Sequence, residues 1–515
     1  MLLYDLVAAS RRVGETRSRL EKIAALASCL HSLRGEEIAI GVLFLSGETR
    51  QGKIGIGYTL LREALSIAPA PAPALELVEV DHTLDSIART NGPGSATIRA
   101  SLLTKLFAQA TAEEQDFIGR LIMGELRQGA LAGVMVDAVA RAARLPAADV
   151  RRAAMLAGSI APVAVAALSD GSAGLARFAV TLFQPVQPML AQPTEDLADA
   201  LAAFGAAALE WKLDGARVQI HKRGAEVRVY TRNLNDVTAA GPEIVEAVSC
   251  LPAQEIILDG EAIALRADGA PRPFQETMRR FGRKLEVHAM RAALPLSVYF
   301  FDCLWLDGQV LLDRPTQQRF DVLGQALPAA LVIPRLITAD VDAANAFLED
   351  ALRRGHEGIM IKSLAAPYEG GSRGSSWLKL KQAHTLDLIV LAVEWGNGRR
   401  KGWLSNLHLG ARDPTTGGRV MLGKTFKGMT DEMLNWQTQT LLRLETSRDS
   451  YTVWVRPELV VEIAFNDIQA SHQYPGGLAL RFARVKRYRT DKNAEDADTI
   501  DTVRAIFAAQ VGRRE

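Results

Sequence analysis

Lys212 stands in the run EWKLDGAR, among residue types that can turn an amine into a nucleophile. Alternation along an extended strand puts Glu210 and Lys212 on one face, Asp214 and Gly215 make a tight turn, and Arg217 returns a second cation toward the same space. That arrangement suits attack on a phosphate. A lysine with an ordinary pKa of about 10.4 leaves only about one amine in a thousand free near pH 7.5, so burial or neighbouring cations must favour the neutral form. Taken alone, Lys212 would read as an exposed lysine on a strand edge. Its neighbours shift that balance.

Other residues of the same character follow. Glu261 lies inside the apolar run IILDGEAIAL, where a buried carboxylate is costly unless it is paired, hydrogen-bonded or metal-bound. In VYFFDCLWLDG, adjacent Phe300 and Phe301 must point to opposite faces, so one packs inward while the other offers a flat ring to a ligand. Lys379 and Lys381 share one strand face and Leu378 and Leu380 the other, and two lysines facing together need an anion. Arg232 offers a guanidinium fork to hydroxyls or phosphate, and Arg373 sits in the loop GGSRGSS. Near the end, LRFARVKRYRTDK sets Arg481, Arg484, Lys486, Arg487, Arg489 and Lys492 against the single acid Asp491, and GRRKGW adds Arg399, Arg400 and Lys401 as candidates for a nucleic-acid backbone.

The elements that must position these residues divide the chain in three. Residues 1–185 read as helical, with apolar residues three and four apart in 97–110 and 112–126. The run APAPAPA at 68–74 reads as an extended linker between two helical subunits. After the Pro-rich stretch 184–193 the periodicity changes to strand alternation, with a turn at Gly224 between VQI and EVRV. Residues 186–384 form an α+β unit carrying the lysine, and 385–515 a β-rich unit whose short strands and Gly-containing turns suit a small barrel. The fold expected is a multidomain α+β chain.

Composition narrows the class. The 515 residues are 48% hydrophobic and 23% charged, as in a soluble globular protein, and a formal charge of +1 gives no bulk attraction to nucleic acid. Any such contact must come from local patches. Three scattered cysteines, Cys29, Cys250 and Cys303, exclude a four-cysteine zinc module and a disulfide framework and fit a reducing cytoplasm. The N-terminus has no sustained apolar core behind a basic start, and no apolar stretch reaches membrane-spanning length.

Lys212-Leu213-Asp214-Gly215 resembles the nucleotidyl-lysine motif of polynucleotide ligases and mRNA capping enzymes. In the family's order follow Thr231-Arg232-Asn233, Asp259-Gly260-Glu261, Phe301-Asp302, Glu357-Gly358-Ile359-Met360-Ile361-Lys362, Trp377-Leu378-Lys379-Leu380-Lys381 and Arg489-Thr490-Asp491-Lys492. With the helical region ahead of the core, the chain resembles the larger three-domain ATP-dependent DNA ligases. The resemblance implies an all-α DNA-binding domain, an α+β nucleotidyltransferase domain and a C-terminal OB-fold β-barrel. It implies ATP and Mg2+ as cofactors, a lysyl-AMP at Lys212, and a nucleotide pocket built from Glu210, Arg217, Arg232, Glu261, Phe301, Arg373, Lys379 and Lys381. Glu261 and Glu357 are the implied metal ligands, Arg489 and Lys492 the contacts to the departing pyrophosphate. Nicked duplex DNA is the implied partner of a monomeric, cytoplasmic enzyme. An RNA ligase or capping-type nucleotidyltransferase is the alternative, disfavoured by the helical domain, and an NAD-dependent ligase by the missing cysteine module. Because every motif lies beyond residue 185, a chain lacking 1–185 is expected to keep self-adenylation largely intact and to seal nicks more weakly.

Lys212→Arg is expected to abolish adduct formation with labelled ATP although the charge is kept, because a guanidinium with a pKa above about 12 almost never presents a free nitrogen. A full-strength adduct in that variant would move the nucleophile elsewhere.

Overall fold

The computed structural model describes every residue except 53, 127, 129–131, 283–286, 372, 382–383, 398–399 and 513–515, with the side chains of 282, 287–289, 373 and 509–512 also outside the description. Helices fill the first third, from Leu3–Glu15 to Ile160–Leu175. Local chemistry sets their ends. Ser18 accepts from the Glu21 amide to start Arg19–Ser32, and Thr111 with Glu114 forms a reciprocal cap at the start of Ala112–Met123. The two helices expected at 97–110 and 112–126 are Ser95–Gln109 and Ala112–Met123.

The linker at 68–74 runs extended, as its prolines require, but it does not separate two bodies. Leu3 donates to the Leu75 carbonyl and Ala70 to the Ala110 carbonyl, and one continuous apolar core runs from Leu3 to Leu175.

The middle of the chain holds ten strands: β1 (Leu190–Thr194), β2 (Ala207–Trp211), β3 (Ala216–Arg223), β4 (Glu226–Thr231), β5 (Glu255–Ala264), β6 (Leu296–Leu306), β7 (Gln309–Val310), β8 (Arg335–Thr338), β9 (Gly358–Ser363) and β10 (Arg373–Lys381). They form two five-stranded sheets, β1-β10-β9-β2-β8 and β4-β3-β5-β6-β7. The turn at Gly224 joins β3 to β4. The expected strand-turn-strand around Asp214-Gly215 is a crossing instead of a hairpin: β2 pairs with β8 and β9, whereas β3 pairs with β4 and β5. The chain changes sheets at Lys212–Gly215.

The last third contains β11 (His384–Trp395), β12 (Leu404–Arg412), β13 (Arg419–Thr425), β14 (Glu445–Arg448), β15 (Thr452–Val455), β16 (Val460–Phe465), β17 (Asp467–Ala470), β18 (Leu478–Arg481) and β19 (Arg484–Tyr488). The long β11 pairs with β16 along its first half and with β15 and β12 along its second, so the sheet curls around a core that includes Leu388, Leu407, Leu434 and Val461. The barrel expected from the sequence does not close among the described residues. Beyond Thr425 the chain turns through Gly428 into the helix Asp431–Arg443, and β13 reaches the β19 side only through the Thr425 hydroxyl on the Ala483 carbonyl and the Val485 amide on the Lys427 carbonyl.

The helical third is built into the catalytic one. Met155, Leu156 and Leu182 share an apolar cluster with Phe301, Tyr368 and Trp377, the Gly370 amide donates to the Met155 sulfur at 3.0 Å, and Arg152 forks onto Asp313 at 2.5 and 2.7 Å. A cut at residue 185 removes Met155, Leu156 and Leu182 from the cluster that holds Trp377 of β10. Met155→Ala is expected to destabilise the protein by about 2–4 kcal/mol, and a chain starting at 186 to melt below the matching transition of the full chain by calorimetry. Superposable transitions would reduce the helical region to a tethered module.

Candidate active site

Lys212 leaves the end of β2 at the gap between the two sheets, fixed by its own backbone. Its amide donates to the Gly358 carbonyl at 2.9 Å and its carbonyl accepts from the Glu357 amide at 3.1 Å, so the lysine loop and the start of β9 are locked together. Two glycines permit the approach. A Cβ on Gly215 would meet the Ala262 carbonyl oxygen at 2.4 Å, and Gly358, at φ +140, leaves 2.2 Å between such a carbon and the Leu380 carbonyl oxygen.

Charge at this point is tightly balanced. The Lys212 amine lies 2.6 Å from Glu357 Oε2, and the Lys381 amine lies 2.6 and 2.7 Å from the same carboxylate. Burial pulls the Lys212 pKa down, but Glu357, with Glu261 and Asp214 behind it, outweighs burial and leaves it above the ordinary lysine value. Lys381 moves the other way, through burial and the neighbouring Lys212 ammonium. Burial, reinforced by Glu357, pushes Asp214 up to about 6, and burial pushes Glu261 up to about 7 against the pull of Lys212 and Arg217. Three carboxylates thus crowd two lysines.

The pocket beyond Lys212 is lined by Glu210, Arg217, Arg232, Glu261, Phe301 and Lys379, all singled out from the sequence. Phe300 packs into one core while Phe301 faces the pocket, and Leu378 and Leu380 pack together on the face opposite the two lysines. Arg217 is spent within the protein: its fork holds Asp259 at 2.7 and 3.0 Å and also reaches the Met189 carbonyl and the Tyr368 hydroxyl. Arg232 is exposed on the rim just past β4. The Arg373 side chain and residues 382, 383 and 399 fall outside the described residues.

Arg489 and Lys492 are elsewhere. Both donate to Asp387 Oδ2, at 2.8 and 2.7 Å, and Arg489 also grips Asp491. The C-terminal domain instead presents its β17–β18 hairpin to the site, with Arg481 4.0 Å from Asp214, Gln469 bonded to Gln275, and Glu195 holding Arg484 and Lys486.

Four participants were given no role by the sequence, although Lys362 and Trp377 stand inside the quoted motifs. Arg335 meets Glu210 across the β2–β8 ladder from 125 residues away, with no local signal to announce it. Lys362 did carry one, as a lysine at the end of the apolar run GIMI; it is buried 2.5 Å from Glu210, with its amine 4.1 Å from the Trp377 ring. Asp387 holds Arg489 and Lys492, and the Trp377 ring packs edge-on against Phe301 beside the Lys362 amine.

Three family models match the chain: "ATP dependent DNA ligase domain" over residues 188–381, "ATP dependent DNA ligase C terminal region" over 400–492 and "DNA ligase N terminus" over 66–140. The chain is 62% identical over 513 residues to a "Probable DNA ligase" of Anaeromyxobacter sp. (strain Fw109-5), covering 99% of each. It is 57% identical over 509 residues to a protein of the same description from Sorangium cellulosum (strain So ce56), covering 99% of this chain and 96% of that one. In fold it is similar to the solved structure named "Pmar-Lig_Pre", with a TM-score of 0.63 at 18% identity over 94% of this chain and 99% of the other.

Glu261 supplies a pH test. Its folded-state pKa of about 7 lies above that of an unfolded glutamate, so the stability it contributes is full below about pH 4.3 and is lost as pH rises through 7. Unfolding midpoints of the ligand-free protein between pH 5 and 8 are expected to fall with pH, and to fall less steeply in Glu261→Gln. Parallel curves would take Glu261 out of the crowded cluster.

Proposed function

The chain belongs to the ATP-dependent DNA ligases, and from that premise we propose that the Lys212 amine attacks the α-phosphorus of ATP. A P–N bond forms, the α–β P–O bond breaks and pyrophosphate leaves. The 5′-phosphate of a nick then displaces Lys212 from the AMP, and the 3′-hydroxyl displaces AMP from the 5′-phosphate, closing the phosphodiester. The observation that carries this reading is the position of Lys212 at the sheet crossing, its amine sharing Glu357 with Lys381 at the mouth of a pocket that also holds Lys379, Glu261 and an aromatic ring.

The charges support the roles. Glu357 keeps Lys212 protonated while the site is at rest; once that carboxylate is engaged by another cation, Lys212 faces Lys381 and like charge favours the free amine. Lys379 and Lys381 neutralise phosphate oxygens, and Phe301 and Glu210 flank the base. Arg217 acts by fixing Asp259 beneath the pocket, Arg232 meets the nucleotide from the rim, and Arg373 is assigned to the nucleotide by its place in the motif order.

Mg2+ fits the same place. Glu357 and Glu261 would supply hard oxygen ligands, and a divalent cation held there would neutralise charge on the phosphates. No three His, Cys, Asp or Glu side chains among the described residues make a complete metal site. Water and phosphate oxygens must therefore fill the rest of its shell.

Arg489 and Lys492 assist only the first step, when a rotation of the C-terminal domain takes them from Asp387 to the triphosphate tail. Nicked duplex DNA is the substrate and the enzyme acts as a monomer in the cytoplasm, where its free cysteines fit a reducing environment; no helix among the described residues is long and apolar enough to cross a membrane.

Sealing of a nicked duplex is expected with ATP and to fail with GTP or NAD, and a nick with RNA on either side separates this reading from an RNA ligase. Replacing Arg489 and Lys492 by Ala should slow self-adenylation by about a hundredfold or more yet largely spare sealing of a nick supplied already adenylated. Equal loss in both assays would make the pair general DNA-binding or structural groups.

A further inference from the structure

Arg335, which no motif contains, touches both Glu210 and the Phe301 backbone, the two sides of the base subsite. Its Nε and Nη2 donate to Glu210 Oε1 at 2.8 and 2.5 Å, and Nη2 also donates to the Phe301 carbonyl at 3.3 Å. The second contact arises from a break in the ladder: Gly260 pairs with Phe300 and Asp259 with Asp302, so Phe301 is the extra residue of a bulge in β6. The bulge aims its ring into the pocket and removes its carbonyl from the sheet, and Arg335 takes up that carbonyl. The guanidinium is held in turn by Phe320, whose ring centroid lies 3.3 Å from the Arg335 Cζ.

Glu210 is 1% exposed and carries two cations, Arg335 on Oε1 and Lys362 2.5 Å from Oε2. They do different work. Lys362 is a point charge that compensates the carboxylate, whereas the Arg335 fork fixes its plane. A carboxylate has about four lone-pair sites and donates nothing; Arg335 takes two on Oε1, and Oε2, beside the Lys362 ammonium, is left to accept from a ligand. Such a group accepts the 6-amino hydrogen of adenine and repels the 6-oxo group of guanine.

We propose that Arg335 is a positioning residue that sets base selectivity, by fixing the Glu210 carboxylate that reads the base edge and the Phe301 backbone that carries the stacking ring. The proposal rests on the reading of this pocket as the adenine-nucleotide site. Lys362 alone leaves the carboxylate free to turn, so loss of the fork should loosen discrimination before it touches the chemistry at Lys212.

The test is self-adenylation of the full chain with ATP, GTP and purine riboside 5′-triphosphate, which lacks the 6-amino group, with kcat and KM measured separately. Arg335→Met is expected to raise KM for ATP about tenfold, to leave kcat within about threefold, and to shrink the preference for ATP over both analogues by about tenfold or more. Arg335→Lys keeps the charge without the fork, and should recover stability and part of the KM but not the selectivity. It also gives the readout if the Met variant does not fold. An unchanged preference in folded Arg335→Lys, or equal losses of kcat with all three nucleotides, overturns the role of Arg335 while leaving the proposed reaction intact. Failure of the unaltered chain to form any adduct with ATP overturns both.

Discussion

Two ammonium groups, Lys212 and Lys381, share the single carboxylate of Glu357 at the point where the backbone leaves one sheet for the other. Burying charge in that gap is tolerable only because each partner is within ion-pair distance of another. The surrounding architecture serves this closeness. Gly215 and Gly358 let backbones approach where any side chain would collide, the Lys212 and Glu357 peptides bond across the gap, and β9 brings Glu357 to a lysine that precedes it by more than a hundred residues. The same balance favours the charged form of Lys212 and sets three carboxylates against two lysines.

Much of this was legible in the sequence. Period-two alternation separated the lysines of β10 from its leucines, and it anticipated Phe301 on the pocket side of β6, where a bulge at Phe301 sets the direction of the ring. Ordered motifs located the pocket walls. What could not be read was pairing between distant strands. The join of Arg335 to Glu210 follows from the β2–β8 register, which no short stretch encodes, and the sheet crossing at Lys212 looked like a hairpin because a tight turn between two strands is ordinarily one. The barrel failed to close for a similarly local reason, since the turn at Gly428 begins a helix where another strand residue was needed.

Domain contacts add a second layer of selection. In the present arrangement Glu195 and Asp214 draw Arg484, Lys486 and Arg481 of the C-terminal domain toward the middle one, while Asp387 retains Arg489 and Lys492 beside the hinge. The two pairs with Glu195 are solvent-facing and individually weak, each worth about 0–1 kcal/mol, whereas those at Asp214 and Asp387 are partly buried. A domain held this way can exchange one set of partners for another without crossing a large barrier, as successive reactions in one pocket require. The salt sensitivity of such pairs also makes the arrangement responsive to ionic strength.

The apolar cluster that joins Met155, Leu156 and Leu182 to Trp377 has a consequence for how the chain is made. The helical third leaves the ribosome first, and its core from Leu3 to Leu175 can consolidate at once, but the partner strand β10 is translated about two hundred residues later. At about 5–20 residues per second, that delay lasts tens of seconds. Through this interval the nascent protein carries an unsatisfied greasy seam on an otherwise finished domain, so its successful maturation depends on pace of synthesis and on whatever shields that seam until the catalytic strands arrive.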